Sequence, residues 1–205
     1  EKYVTIDCPL LIGKQVFEKP FVQFIINETA LNKYNWKPID EPVLVKELYV
    51  ARPLPYRKGF WETTKHLFID ADKEPESRKA LFVNRTGTRR ITNFEVIKPI
   101  LDEFDVEEFD PGKMNMKEQA ETFNNASHVI GIHGAGLTNL MFCNYDKTKV
   151  LELCSNNRIG TQYYWLCTAL GINWNMLLGS KAETDQSFEL NPDEFRKALE
   201  KLFAS

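Results

Sequence analysis

The stretch SHVIGIHGAGLTNLMF, residues 127–142, decides how the chain is read. A short apolar run rich in β-branched residues enters it, a histidine sits between glycines, and the continuation GLTNLMF has helical character. This is the pattern of a buried strand turning into a helix, the unit of a parallel sheet. In such sheets ligands gather beyond the carboxyl ends of the strands. Gly134 and Gly136 let backbone approach a ligand, and the unpaired N–H groups of the following helix start form the positive end of its dipole. A phosphate or diphosphate suits that environment. The competing reading makes the glycines a tight βα turn, with His133 a packed polar residue and Thr138 and Asn139 serving local backbone.

Working outward, strand-like and helix-like patterns alternate. Strands are expected at 79–85, 106–109, 128–132, 149–154 and 173–179. Helices are expected from Phe60 to about Ile69, from Thr92, over 117–126, over 136–142, over 160–170 and after Asn191-Pro192. The alternation predicts an α/β fold, a Rossmann-like parallel sheet with helices on both faces. Pro99 conflicts with an unbroken helix from Thr92 and predicts a kink or a later start. Upstream, a strand at 3–6, a helix at 21–34 and a strand at 42–51 read as a βαβ unit, the end of a second layer system. ARPLPYRKG, residues 51–59, reads as the linker between the two. The expected domains are therefore residues 1–58 and 59–205. The absence of an initial Met suggests a piece of a longer protein.

Composition narrows the function. The chain has 205 residues, 43% of them hydrophobic, and a net charge of −3, so no basic footprint invites nucleic acid. No apolar run reaches the ~18 residues that span a bilayer. Cys8, Cys143, Cys154 and Cys167 are irregularly spaced without C-x-x-C, which reads as buried thiols in a reducing compartment and not as a zinc site or disulfide framework. Sequons at Asn27, Asn84 and Asn125 occur at about chance frequency in a chain of this composition.

Two further segments share the sheet edge with His133. NRTGTRRITN, residues 84–93, follows a predicted strand and carries Arg85, Arg89 and Arg90, whose guanidinium groups match phosphate oxygens with paired donors. Glu152 interrupts the apolar strand KVLELC, where its carboxylate either accepts from ribose hydroxyls or pairs with one of the arginines. The D-x-D at residues 70–72 follows a helix and precedes a charged loop, the context of a solvated helix end. Trp36, Tyr56 and Trp61 could stack on sugar rings or serve as core and hinge packing.

NRTGTRRITN, IGIHGAGLTNLMF and KVLELC, in this order and at these separations, resemble glycosyltransferase family 61, over roughly residues 40–180. The resemblance implies a GT-B architecture of two Rossmann-type domains. It also implies inverting, metal-independent transfer from a nucleotide-sugar, a UDP-sugar by expectation, to a glycan or other hydroxyl acceptor, with no cofactor. Carried onto this chain, the donor would meet Arg85, Arg89 and Arg90, the catalytic residue His133, and the backbone of Gly134, Ala135, Gly136, Leu137 and Thr138, with Glu152 near the ribose. The acceptor base is expected from the N-terminal domain, where Asp7 is a weak candidate. The compartment implied is cytoplasmic for the bacterial polysaccharide-synthesis members or the ER/Golgi lumen for the eukaryotic ones. Two rival readings stand beside it. One is a dinucleotide-binding oxidoreductase, since residues 134–139 nearly match G-x-G-x-x-G, although Asn139 replaces the third glycine. The other is a non-catalytic nucleotide-sugar-binding module.

Overall fold

The computed structural model describes residues 8–50, 57–70, 77–85 and 87–204. The chain divides into two compact units, residues 1–53 and 54–205. The first holds one βαβ unit. Strand β1 (Leu10–Gly13) pairs in parallel with β2 (Trp36–Ile39), and between them run α1 (Lys14–Phe17), α2 (Pro20–Glu28) and a 3-10 turn (Ala30–Lys33). Pro20 opens α2 at a position whose N–H has no intrahelical partner. Thr29 then starts the 3-10 turn by accepting from the Leu31 N–H.

The expected strand at 3–6 lies outside the described residues, as does residue 51. The expected strand at 42–51 is corrected: residues 42–50 form no strand, and Val43, Leu44 and Leu48 in it are exposed. A strand needs a neighbouring ladder to satisfy its backbone. Among the described residues, that ladder forms instead between 10–13 and 36–39. Pro38 conceals β2 from a propensity reading because proline is tolerated in a strand only where it need not donate.

The second unit is built on five parallel strands, β3 (Lys79–Val83), β4 (Val106–Phe109), β5 (Ala126–Ile132), β6 (Lys149–Ser155) and β7 (Asn173–Gly179), in the order β4-β3-β5-β6-β7. It is a Rossmann-like sheet flanked by helices. Alternation along the strands divides the core in two. Ala80, Phe82, Ile130, Ile132, Leu151 and Leu153 pack against α4 (Phe94–Glu103) and α7 (Pro192–Ala204). Leu81, Val83, Val129 and Val150 pack on the other face against α5 (Met116–Asn124), a 3-10 helix (Ala135–Phe142) and α6 (Gln162–Leu170), with Trp61 of α3 (Lys58–Lys65) packed alongside. Burial on both faces explains why these strands read as continuous apolar runs.

Helix boundaries follow local chemistry. Asn115 and Glu118 form a capping box at the start of α5. Asn191 Oδ1 accepts from the Asp193 and Glu194 N–H groups ahead of α7. α4 runs through Pro99, which is exposed, as is Glu95, the residue one turn earlier whose carbonyl loses its helix partner to the proline. The segment after Gly134 is a 3-10 helix where an ordinary helix is expected. Leu137 and Leu140, three apart, are both fully buried, a spacing that suits three residues per turn.

Because the strand order reverses between β3 and β5, the loops after these two strands leave in opposite directions and open a crevice at their carboxyl ends. The arginine loop and the His133 turn are those two loops.

Gly131, in the middle of β5, accommodates the 3-10 helix: a Cβ there would stand 2.5 Å from Leu137 Cδ2 and 3.2 Å from Val83 Cβ. Gly131→Ala is expected to lower stability by about 1–3 kcal/mol, the usual cost of overpacking a core, read as a fall in the thermal or urea midpoint. A second expectation concerns pH. At the opposite end of β5, His128 stacks on Phe203 of α7 at 4.0 Å, beside Ser127 Oγ and near Lys149. Burial, with Lys149 adding to it, holds its pKa below the ordinary 6.5. As pH falls through 6.5 the unfolded chain takes up a proton that the folded chain resists, so this site's contribution to stability declines there. The midpoint of His128→Phe should therefore fall less than that of the parent between pH 7.5 and 5.5.

Candidate functional site

His133 leaves the carboxyl end of β5, and its position is fixed from several sides. Its N–H donates to the Leu153 carbonyl at 2.9 Å, continuing the ladder to β6. Gly131 and Glu152 are register partners, so His133, two residues on from Gly131, projects to the same sheet face as Glu152. There Nδ1 meets Glu152 Oε1 at 2.5 Å, and Nε2 lies 2.9 Å from the Gln162 amide nitrogen at the start of α6. The ring packs edge-to-face on Tyr163, with centroids 5.3 Å apart. Gly160 lies flush against it: a Cβ there would be 2.3 Å from His133 Cε1.

Glu152 is not open at the mouth of the sheet. It is 0% exposed, and its second oxygen accepts from Trp174 Nε1 at 2.9 Å while the Cys154 thiol donates to the first at 3.8 Å. A carboxylate so enclosed, with both oxygens engaged, orients the imidazole. With Glu152 accepting from Nδ1–H, Nε2 is the atom turned away from the carboxylate. Burial, and next the Glu152 charge, pushes the Cys154 thiol up to about 12.

The arginines separate. Arg85 is half-buried and lies against Gly134, where a Cβ would come 2.2 Å from Arg85 Nη1; here the missing side chain is what admits the guanidinium. Arg85 Nε donates to the Thr88 carbonyl. Partial burial, and next the charge of the neighbouring Arg89, lowers its pKa. Arg89, half-buried, joins His133, Cys154, Gly160 and Gln186 around a cavity of about 320 Å³. A second cavity of about 210 Å³, sharing Ile132 with the first, is lined by Asn84, Arg85, Gly87 and Gly136. Arg90 is exposed and lines neither; its neighbour in the field is Asp185.

Arg89 and Gln186 both adopt left-handed backbone, at φ 64° and 67°. For side chains of this size that conformation is uncommon and costs free energy. It is held by bonds between their loops. The Arg89 N–H donates to the Asp185 carbonyl, the Phe188 N–H to Arg90, and Asn93 exchanges two bonds with the Leu190 backbone.

In the turn itself, Leu137 N–H donates to the Gly134 carbonyl at 2.9 Å and begins the 3-10 helix, so the N–H groups of Ala135 and Gly136 precede its first bond. The Leu137 side chain belongs to the core; Thr138 is exposed, beside the Tyr163 hydroxyl, which donates to the Gly134 carbonyl. Asn139, at the third-glycine position of the dinucleotide pattern, is buried and donates to Gln119 Oε1. Asp7, Tyr56 and residues 71 and 72 lie outside the described residues. Trp36 donates to the Leu31 carbonyl, and Trp61 packs on the core.

Sequence reasoning did not find Cys154, Gly160, Gln162, Tyr163, Trp174 or Gln186. The loop after β6 opens on the same edge as the two motif loops, and that rule alone brings residues 156–162 to the site.

Two comparisons bear on this arrangement. The family model described as Glycosyltransferase 61 matches residues 7–151. A segment of 43 residues, 21% of this chain, is 58% identical to beta-1,2-xylosyltransferase RCN11 of Oryza sativa subsp. japonica, and the match spans only 8% of that protein. With its model matched over well over half of the chain, across the arginine loop, the His133 turn and the start of β6, the family is shown: this chain belongs to glycosyltransferase family 61.

Proposed function

We propose that the protein of which this chain is part transfers a sugar, with inversion and without a metal ion, from a nucleotide-sugar to a hydroxyl of a glycan acceptor. Residues 59–205 hold the donor, and residues 1–58 are the end of the acceptor-side Rossmann-like domain of a GT-B architecture. The observation that carries the reading is the gathering of Arg85, Arg89 and the Gly134–Gly136 turn at the crevice where the strand order reverses. A departing nucleoside diphosphate develops negative charge. Two guanidinium groups and the N–H groups of Ala135 and Gly136 stabilise that charge in place of a divalent cation. His133 presents Nε2 to the same space. When both ring nitrogens carry protons, Nδ1–H stays on Glu152 and Nε2–H donates to a phosphate oxygen, with Gln162 turning its amide to suit. Glu152 is a positioning residue in this scheme, in place of the ribose contact expected from sequence. UDP is the nucleotide we favour, and the xylosyl group named for the rice relative is one candidate for the sugar.

The 205-residue chain should bind UDP in the presence of a chelator and should bind NAD more weakly. Arg85→Gln removes a charged hydrogen bond worth about 1.5–3 kcal/mol, so UDP affinity should fall roughly tenfold or more. Arg89→Asn should do the same without adding backbone strain, since Asn accepts left-handed φ. Arg90→Ala should stay within about threefold of the parent. Titration calorimetry decides. A loss confined to Arg90→Ala, or UDP binding only with Mn²⁺, would overturn the assignment, and preference for NAD would favour a dinucleotide enzyme.

A further inference from the structure

We propose that His133, Glu152 and Cys154 form a binding site for a thiophilic divalent cation of the zinc class. One ligand atom from each, a ring nitrogen of His133, a Glu152 oxygen and Cys154 Sγ, lie within 4.8 Å of one another. They are an imidazole, a carboxylate and a thiol, the three donor types zinc accepts. Nδ1 and Sγ both address the same oxygen, Glu152 Oε1, at 2.5 and 3.8 Å. Two protons thus converge on one carboxylate oxygen, the place where a dication can replace them.

Geometry and charge both allow the exchange. Ligands about 2.0–2.3 Å from zinc at tetrahedral angles stand roughly 3.3–3.8 Å apart, so the Nδ1–Oε1 contact must open by less than about 1 Å. His133 and Cys154 both line the 320 Å³ cavity, which gives an ion access to two of the three ligands. Starting from the neutral imidazole with Nδ1–H, the bound ion takes the Nδ1 lone pair and the ring proton moves to Nε2. The thiol proton is released to solvent. One carboxylate, one thiolate and a dication then leave the pocket neutral, where it previously carried a single buried negative charge. Because ligation releases the thiol proton, affinity must rise with pH. Mg²⁺ and Mn²⁺, which favour all-oxygen shells, do not fit this donor set. An ion bound here takes His133 Nδ1 away from Glu152, and so regulates whatever ligand the cavity holds.

The test uses Co²⁺ as a spectroscopic probe and Zn²⁺ as its competitor, on the whole chain. One Co²⁺ per chain should give a thiolate-to-cobalt charge-transfer band with the intense visible bands of a tetrahedral site, bleached by one equivalent of Zn²⁺. The band should vanish in Cys154→Ser, persist in Cys8→Ser, and need at least tenfold more Co²⁺ in Glu152→Gln. X-ray absorption of the zinc-loaded parent chain, which requires no variant, should show one sulfur and two or three nitrogen or oxygen neighbours, with imidazole scattering. No charge-transfer band, a band surviving in Cys154→Ser, or a zinc shell with no sulfur or more than one would overturn the site. None of these readouts depends on sugar transfer, so the outcome stands apart from that of the proposed function.

Discussion

A carboxylate that no solvent reaches governs the candidate site. Taking an ionised group out of water costs many kcal/mol unless hydrogen bonds replace its hydration. Glu152 obtains them from an imidazole, an indole N–H and a thiol, contributed by β5, β7 and its own strand. Those partners cannot move independently. The register of β6 with β5 places Glu152 beside Gly131, the ladder bond from His133 to Leu153 fixes the backbone, and the carboxylate then fixes the ring. The imidazole at the crevice is therefore positioned by the sheet itself, which is how a scaffold holds a functional group to a fraction of an ångström.

The arginines are positioned by a different device. Their loop is tied to the segment after β7 by backbone bonds, and Arg89 and Gln186, both in left-handed conformations, line one cavity. Small residues complete the arrangement: Gly134 admits Arg85 and Gly160 admits His133, each at a distance no Cβ would tolerate. Arg85 is partly desolvated and lies in the field of Arg89, a combination that is costly to the fold.

Much of this was legible in the sequence because burial on both faces makes strands conspicuous. VEEF and NWNMLLG coincide with β4 and β7, and the other three strands of the large sheet lie within a few residues of their expected bounds. The motif loops were found because glycines and arginines after a strand have few other uses. What was not legible depended on partners distant in sequence. Whether Arg89 or Arg90 turns inward is decided by Asp185, nearly a hundred residues away. Glu152 reads as lying near the mouth of the sheet, yet β6 continues through Ser155, and strand alternation sends its side chain beneath the 3-10 helix and α6. The run at 42–50 has every local property of a strand and lacks only a neighbour to pair with among the described residues. Propensity records what a segment could form; pairing is a property of the whole unit.

The central claim is that the buried carboxylate sets the His133 ring, and the tautomer of that ring tests it most directly. Long-range ¹H–¹⁵N correlation on histidine-labelled chain, assigned by comparison with His133→Gln and recorded where the ring is neutral, distinguishes the two nitrogens. The account predicts a ring protonated at Nδ1 in the parent, with Nε2 bare toward Gln162, and loss of that single form in Glu152→Ala. A ring protonated at Nε2, or a mixture of tautomers unchanged by the substitution, would contradict it.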